Sequence, residues 1–174
     1  MEHKAYWLTD DDDMELALGG LNVTLRDYAK LGWLYLNLGQ WKNAQGQIRQ
    51  IIPKQWVIDS TSEDALHLLA GENNPASTSS SGYGYQWWLP LNADDEFATQ
   101  GIYNQYIYID PDKKLVIVKN SANHRFTDKS LNWSAKHYAM FRGISAHLSK
   151  EQVMINSSKV EQNLKTKTAQ PRFK

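Results

Sequence analysis

The stretch from Tyr106 to Val118 leaves this chain the least choice of structure. Tyr106-Ile107-Tyr108-Ile109 and Leu115-Val116-Ile117-Val118 are runs of aromatic and β-branched or other apolar residues. Branching at Cβ crowds a helix but packs well on a pleated surface. Asp110-Pro111-Asp112-Lys113 lies between the runs, and Asp followed by Pro suits the first two positions of a type I turn. Strands joined so tightly must pair antiparallel. Upstream, Tyr83, Tyr85, Trp87 and Leu89 alternate with Gly84, Gln86 and Trp88, a period of two that predicts a third strand. An antiparallel meander is the expected centre of the fold.

Helices are expected on either side of it. Thr24, with Asp27 three residues on, makes a start like a capping box. Leu25, Tyr28, Leu31, Tyr35 and Leu38 then recur at helical spacing, and Trp33, Leu34 and Leu36 widen the apolar stripe. Gly39 stands where a C′ glycine would end this helix. Pro53 predicts a short helix running through Trp56 and Val57. Tyr138, Phe141, Ile144 and Leu148 repeat the helical spacing after Ser134, a candidate N-cap. Gly71 to Gly82 is rich in Ser, Asn and Gly and predicts a loop. Helices, a meander and a further helix make an α+β chain, an antiparallel sheet with packed helices, rather than alternating βαβ units.

Composition excludes several functions. The chain has 174 residues, no cysteine, and 19 basic against 19 acidic residues. That length is one domain or part of a larger one. Without cysteine there is no disulfide framework, thiolate zinc site or cysteine nucleophile. Zero net charge argues against a nucleic-acid or anionic-membrane partner. A mean hydropathy of −0.59 without a long apolar run argues against a membrane span. The first residues show no basic region followed by an apolar one, so they do not read as a signal peptide. Charge is nevertheless uneven. Lys150 to Lys174 carries six basic and two acidic residues, a surplus of +4 that leaves −4 for the remainder. Residues 149–174 are expected to form a basic, mobile tail on a folded part spanning 1–148.

Few motifs carry chemistry. The histidines, at 3, 67, 124, 137 and 147, include no i, i+4 pair with the spacing of a helical metal site. No glycine-rich phosphate loop is present. Asp10 to Asp13 reads as a solvated acidic turn, because four successive carboxylates cannot converge on one cation in an extended chain. Neither a metal nor a cofactor is expected. Seven Trp, nine Tyr and four Phe suit both a core and a substrate cleft.

Longer strings carry a resemblance. Gly82-Tyr83-Gly84-Tyr85-Gln86-Trp87-Trp88, then Thr99-Gln100-Gly101-Ile102-Tyr103-Asn104-Gln105-Tyr106-Ile107-Tyr108-Ile109-Asp110-Pro111, then Leu115 to Val118, follow one another here. Ahead of them stand Ala5-Tyr6-Trp7-Leu8-Thr9-Asp10 and Gly19-Gly20-Leu21-Asn22-Val23-Thr24-Leu25-Arg26-Asp27. In this order they resemble the C-terminal part of the β-lactamase-related serine hydrolases, and most of all the 6-aminohexanoate-dimer hydrolase group, which also contains esterases. The resemblance runs from about Met1 to Leu148. It implies part of a β-lactamase/DD-peptidase-like fold and a small amide or ester substrate in the complete enzyme.

The resemblance also implies a Ser-x-x-Lys nucleophile pair, a tyrosine loop, and a Lys-Thr-Gly-like strand whose following N–H completes the oxyanion hole. No serine here has a lysine three positions on; Ser134-Ala135-Lys136 and Ser149-Lys150 have the wrong spacing. Tyr35-Leu36-Asn37 matches Tyr-x-Asn, but it lies within the predicted helix and reads as a chance match. Thr99-Gln100-Gly101 occupies the place of the third element. Gly101 would let a carbonyl approach the backbone, and Ile102 N–H would face the oxyanion. Thr99, Gln100 and Tyr103 would touch substrate. Trp87, Trp88 and Tyr103 either line the cleft or pack as strand aromatics.

The chain therefore reads as the acceptor side of a hydrolase without its nucleophile, inactive alone. Its expected partner is a missing N-terminal half, and apolar surface built to meet that half would drive self-association. Bacterial cytoplasm and periplasm both stay open. A non-catalytic ligand-binding module and one chain of a split enzyme are the alternatives.

Overall fold

The computed structural model describes residues 1–148 except 17–18, 72–73, 76–78 and 92–94. The expected tail at 149–174 and part of the expected loop at 71–82 lie outside the described residues. Residues Met1–Trp133 form one compact unit, and a second begins at Ser134. Among the described residues, no helix is long and apolar enough to cross a membrane.

The meander is the centre of the first unit. Strands β1 (Tyr6–Trp7) and β2 (Leu21–Asn22) form one antiparallel pair, and β3 (Gln40–Lys42) and β4 (Ile48–Gln50) another. The main sheet has five antiparallel strands in chain order: β5 (Ser81–Tyr83), β6 (Trp88–Pro90), β7 (Phe97–Gly101), β8 (Gln105–Asp110) and β9 (Leu115–Lys119). The predicted hairpin is β8 and β9, in register from Tyr106 opposite Lys119 to Asp110 opposite Leu115. Its turn is built as expected on Asp110, whose carboxylate accepts the Lys113 N–H at 3.0 Å.

The strand predicted from Tyr83 to Leu89 is instead two strands and a turn. Gly84 N–H donates to Trp87 O at 2.9 Å, and Gln86 takes the left-handed region at φ 72°. Alternation of aromatic and small residues cannot distinguish a strand from a hairpin when the turn itself contains aromatics. Here the backbone decides, because Gly84 lies against the Ser60 carbonyl with no room for a side chain. The pair β3 and β4 was not expected; each strand is only three residues long, too short for alternation to stand out.

Helix α1 (Leu25–Leu36) packs against β8 and β9. Thr24 is its N-cap and accepts the Asp27 N–H at 3.3 Å, as the sequence suggests. Its packed face keeps Tyr28, Leu31 and Tyr35 of the predicted stripe but not the two ends of it. Leu25 and Leu38 are exposed, while Asp27, Gly32 and Tyr35 are buried and Tyr28, Leu31 and Leu36 border the core. Gly32 sets this face. A Cβ there would come within 2.6 Å of Val116 Cγ1 and 2.9 Å of Ile107 Cγ2. At the other end of α1, Gly39 N–H donates to Leu34 O at 2.8 Å and Leu38 N–H to Tyr35 O at 3.0 Å, the Schellman pairing. The left-handed C′ position thus falls on Leu38 (φ 52°), one residue before the expected glycine. Gly39 is needed next, where its backbone lies against the Ile52 carbonyl.

Asp27 fastens the N-terminal segment to this helix. Its side chain is fully buried. It accepts Lys30 Nζ at 2.9 Å, the Glu2 N–H at 2.8 Å, the Thr24 hydroxyl at 3.0 Å and the His3 N–H at 3.2 Å. The Lys30 hydrogen bond first, then the Glu2 N–H, holds its carboxyl far below the usual carboxylate range against the opposing effect of burial. The core beneath α1 joins Tyr35, Val57, Trp87, Leu89, Phe97, Ile107 and Ile109. Val57 comes from α2 (Lys54–Ser60), for which Pro53 is the N-cap.

Helix α3 spans 133–148, all but its first residue in the second unit. Ser134 lies inside its first turn rather than at the cap, after Asn132 in the left-handed region at φ 42°. Its buried residues are His137, Tyr138, Phe141 and Ser145, whereas Ile144 and Leu148 of the expected stripe are exposed.

Two outcomes test these contacts. Gly32→Ala in an ordinary helix would gain about 1 kcal/mol of propensity; here overpacking should outweigh it, for a net loss of about 1–3 kcal/mol in urea unfolding. Asp27→Asn should lower the urea midpoint at neutral pH. Because the folded carboxyl titrates below its unfolded value of about 3.9, its stabilisation is present above that value and lost as pH falls through and below it. The gap between wild type and variant should therefore close on acidification, and a constant gap would count against the charge.

Candidate active-site strand

The candidate residues fall at one end of β7. Phe97 starts this strand in the core, and Gly101 ends it opposite Gln105, at the mouth of a three-residue loop into β8. Alternation puts Thr99 on the α1 side, level with Ile107, and its hydroxyl oxygen accepts the Ile107 N–H at 3.0 Å. The Thr99 O–H itself remains a donor. Gln100 points to the other face, opposite Tyr106. Gly101, Ile102 and Tyr103 are exposed, Ile102 at 62% and Tyr103 at 40%.

Among the described residues, nothing requires Gly101 to be glycine. Its φ of −99° and ψ of 166° are ordinary extended backbone, and an added Cβ would meet nothing nearer than Gln105 Cβ at 3.4 Å. The loop that follows is strained. Tyr103 (φ 59°, ψ 18°) and Asn104 (φ 65°) both lie in the left-handed region. Asn tolerates that conformation, but an aromatic residue there costs about 1–2 kcal/mol. Sparsely populated backbone of this kind gathers at functional sites when its surroundings hold it in place.

The surroundings come from β9 and the segment after it. Lys119 Nζ donates to Asn104 O at 2.9 Å, and Asn123 N–H to Tyr103 O at 3.4 Å. The Tyr103 ring meets Phe126 edge-on at 5.0 Å and His124 at 6.4 Å between centroids. Burial pushes the Lys119 ammonium below the usual lysine range. Asn104 is buried, and its side-chain Nδ2 has no hydrogen-bond partner among the described residues. The family resemblance pointed to the strand, and neither it nor the residue pattern pointed to Lys119, Asn123 and Phe126. A lysine closing an apolar strand is too common to signal a site.

The other candidates lie elsewhere. Trp87 is 3% exposed and packs in the core, with ring centroids 4.5 Å from Tyr35 and 5.0 Å from Phe97. It stands just ahead of β6 and packs inward. Trp88 is half-buried, opposite Ala98 in the sheet and edge-on to Tyr83 at 4.9 Å. Tyr35 and Asn37 are structural: one is in the core, and the other returns its Nδ2 to Trp33 O at 2.7 Å. A cavity of about 450 Å³ opens at the far end of β7, where Phe97, Leu89 and Tyr35 meet Glu63, Asp95 and Glu96. It is not formed by the residues at Gly101.

No protein-family model matches the chain. A curated relative, the 6-aminohexanoate-dimer hydrolase of Paenarthrobacter ureafaciens, is 26% identical over 113 residues, which make up 65% of this chain and 28% of that protein. A solved structure titled "Putative 6-aminohexanoate-dimer hydrolase from Bacillus anthracis" is 35% identical, with a TM-score of 0.66, and the match covers 84% of this chain and 34% of that one. The chain thus spans about a third of the length of these two relatives. In sequence and in its α+β fold, it resembles the 6-aminohexanoate-dimer hydrolases and their β-lactamase-like architecture.

Proposed function

We propose that this chain is the C-terminal segment of a serine hydrolase that cleaves amide or ester bonds, and that it contributes the strand along which the acyl group lies. The nucleophile comes from residues outside it. Gly101 carries this reading. A glycine in a strand costs about 0.5–1 kcal/mol relative to alanine, and neither positive φ nor a crowded neighbour requires it here. What the missing side chain provides is open space beside the Ile102 N–H. An oxyanion donor needs that space, because the substrate carbonyl must come within hydrogen-bond distance of the backbone.

In this reading the Ile102 N–H stabilises the tetrahedral oxyanion together with an N–H from the nucleophile's own segment. The Thr99 O–H and Gln100 bind the acyl side of the substrate, with Tyr103 at the rim of the cleft. Trp88 lies further back on the strand pair, and Trp87 supports β7 from the core. The exposed Trp7, Trp33 and Trp56 are apolar surface that the rest of the enzyme would cover. Alone, the chain lacks the Ser-x-x-Lys pair and does not turn over substrate.

Reconstitution tests the reading. The chain is mixed with a second polypeptide comprising the part of the Bacillus anthracis relative that lies outside the match. Hydrolysis of p-nitrophenyl acetate should require both, and a fluorophosphonate probe should label only the second. Labelling of a serine in this chain would refute the assignment. Gly101→Ala should raise the stability of the isolated chain by about 0.4–1 kcal/mol while cutting kcat of the mixture by about 10²-fold or more, the scale of losing an oxyanion donor. Unchanged kcat would mean that no acyl group passes Gly101.

A further inference from the structure

We propose that Lys119 is a positioning residue: by holding the Asn104 carbonyl it locks the left-handed Tyr103–Asn104 backbone, and so fixes the direction of the Ile102 N–H. The proposal rests on the hydrolase reading for its chemical consequence, but its structural half stands on the loop itself. Ile102 is the first residue of a three-residue connection between Gly101 and Gln105. Its N–H can be aimed reproducibly only if the next two residues are fixed, and both are in a conformation that the chain would leave if released.

The carbonyl of each of those two residues is held from outside the hairpin loop. Asn123 takes the Tyr103 carbonyl at 3.4 Å, and Lys119 takes the Asn104 carbonyl at 2.9 Å. The second bond is the shorter and is charge-assisted, which makes it the stronger of the pair. Lys119 is suited to this place by register. It is the last residue of β9, opposite Tyr106, so its side chain starts beside the beginning of β8 and reaches the loop directly. It makes no ion pair among the described residues; its ammonium is spent on this carbonyl. An exposed lysine would be hydrated, whereas this one is half-buried against the strained turn. Its charge is also anchored two residues from the N–H that would face a developing oxyanion.

Backbone ¹⁵N relaxation and scalar couplings of the full chain test the structural half. Wild-type Ile102, Tyr103 and Asn104 should show order parameters of about 0.85, like the strands. Lys119→Met and Lys119→Gln should drop them below about 0.6 and move the couplings of Tyr103 and Asn104 away from left-handed values. Lys119→Arg should restore both, and Lys113→Met, an exposed lysine, should change neither. Undisturbed order at 102–104 in both Lys119→Met and Lys119→Gln would overturn the proposal. In the two-polypeptide mixture, Lys119→Met should lower kcat at least tenfold with KM within about twofold, since an oxyanion donor acts in the transition state. A loosened loop with unchanged kcat would overturn the positioning role. A wild-type mixture without activity would instead refute the hydrolase reading and the catalytic half with it, leaving the relaxation result to decide whether Lys119 orders the loop.

Discussion

Helix α1 lies so close to β8 and β9 that no side chain fits between them at Gly32, and much of the first unit is arranged around that approach. The contact buries Ile107 and brings Val116 and Val118 under the helix. It also fixes the rotation of α1, which turns Asp27 inward at one end and Tyr35 inward over Trp87 and Phe97 at the other. An inward carboxylate is costly unless its oxygens are satisfied. The N-terminal segment satisfies them, so residues 2 and 3 are tied to the helix that seats the sheet.

The same contact separates two ends of β7. At Phe97 the strand is sealed in aromatic packing; at Gly101 it emerges into a loop with exposed backbone and left-handed residues. A rigid strand is a good carrier for a group that must be placed within a fraction of an ångström, and the loop after it is where a backbone N–H can be presented. Strain is tolerable there because core burial elsewhere holds the strand, while Lys119 and Asn123 engage the loop's carbonyls.

Much of this was legible in order along the chain. The β8–β9 hairpin, its Asp110 turn and the Thr24 cap were all read from local chemistry, because each is decided by residues within a few positions of one another. The reading failed where two local signals coincide. Tyr83 to Leu89 has the alternation of a strand, yet it contains a turn. Leu25 and Leu38 have helical spacing, yet they face outward because Gly32, which contributes no hydrophobicity to the pattern, is the point of closest packing. In α3 the buried row runs through His137 and Ser145, polar residues that no apolar periodicity would select.

At the candidate site the division is sharper. The sequence by itself determined that the chain has an α+β order of elements and that no Ser-x-x-Lys pair is present, which are properties of neighbours, composition and spacing; that Thr99-Gln100-Gly101 belongs to a strand came only from the family resemblance. Only the tertiary structure decided that Trp87 belongs to the core, that Gly101 is free of steric demand among the described residues, and that Lys119 and Asn123 meet the loop after it. Those outcomes depend on strand register and on the close seating of α1, which bring together residues 15 or more positions apart, and no local pattern encodes a contact across that distance.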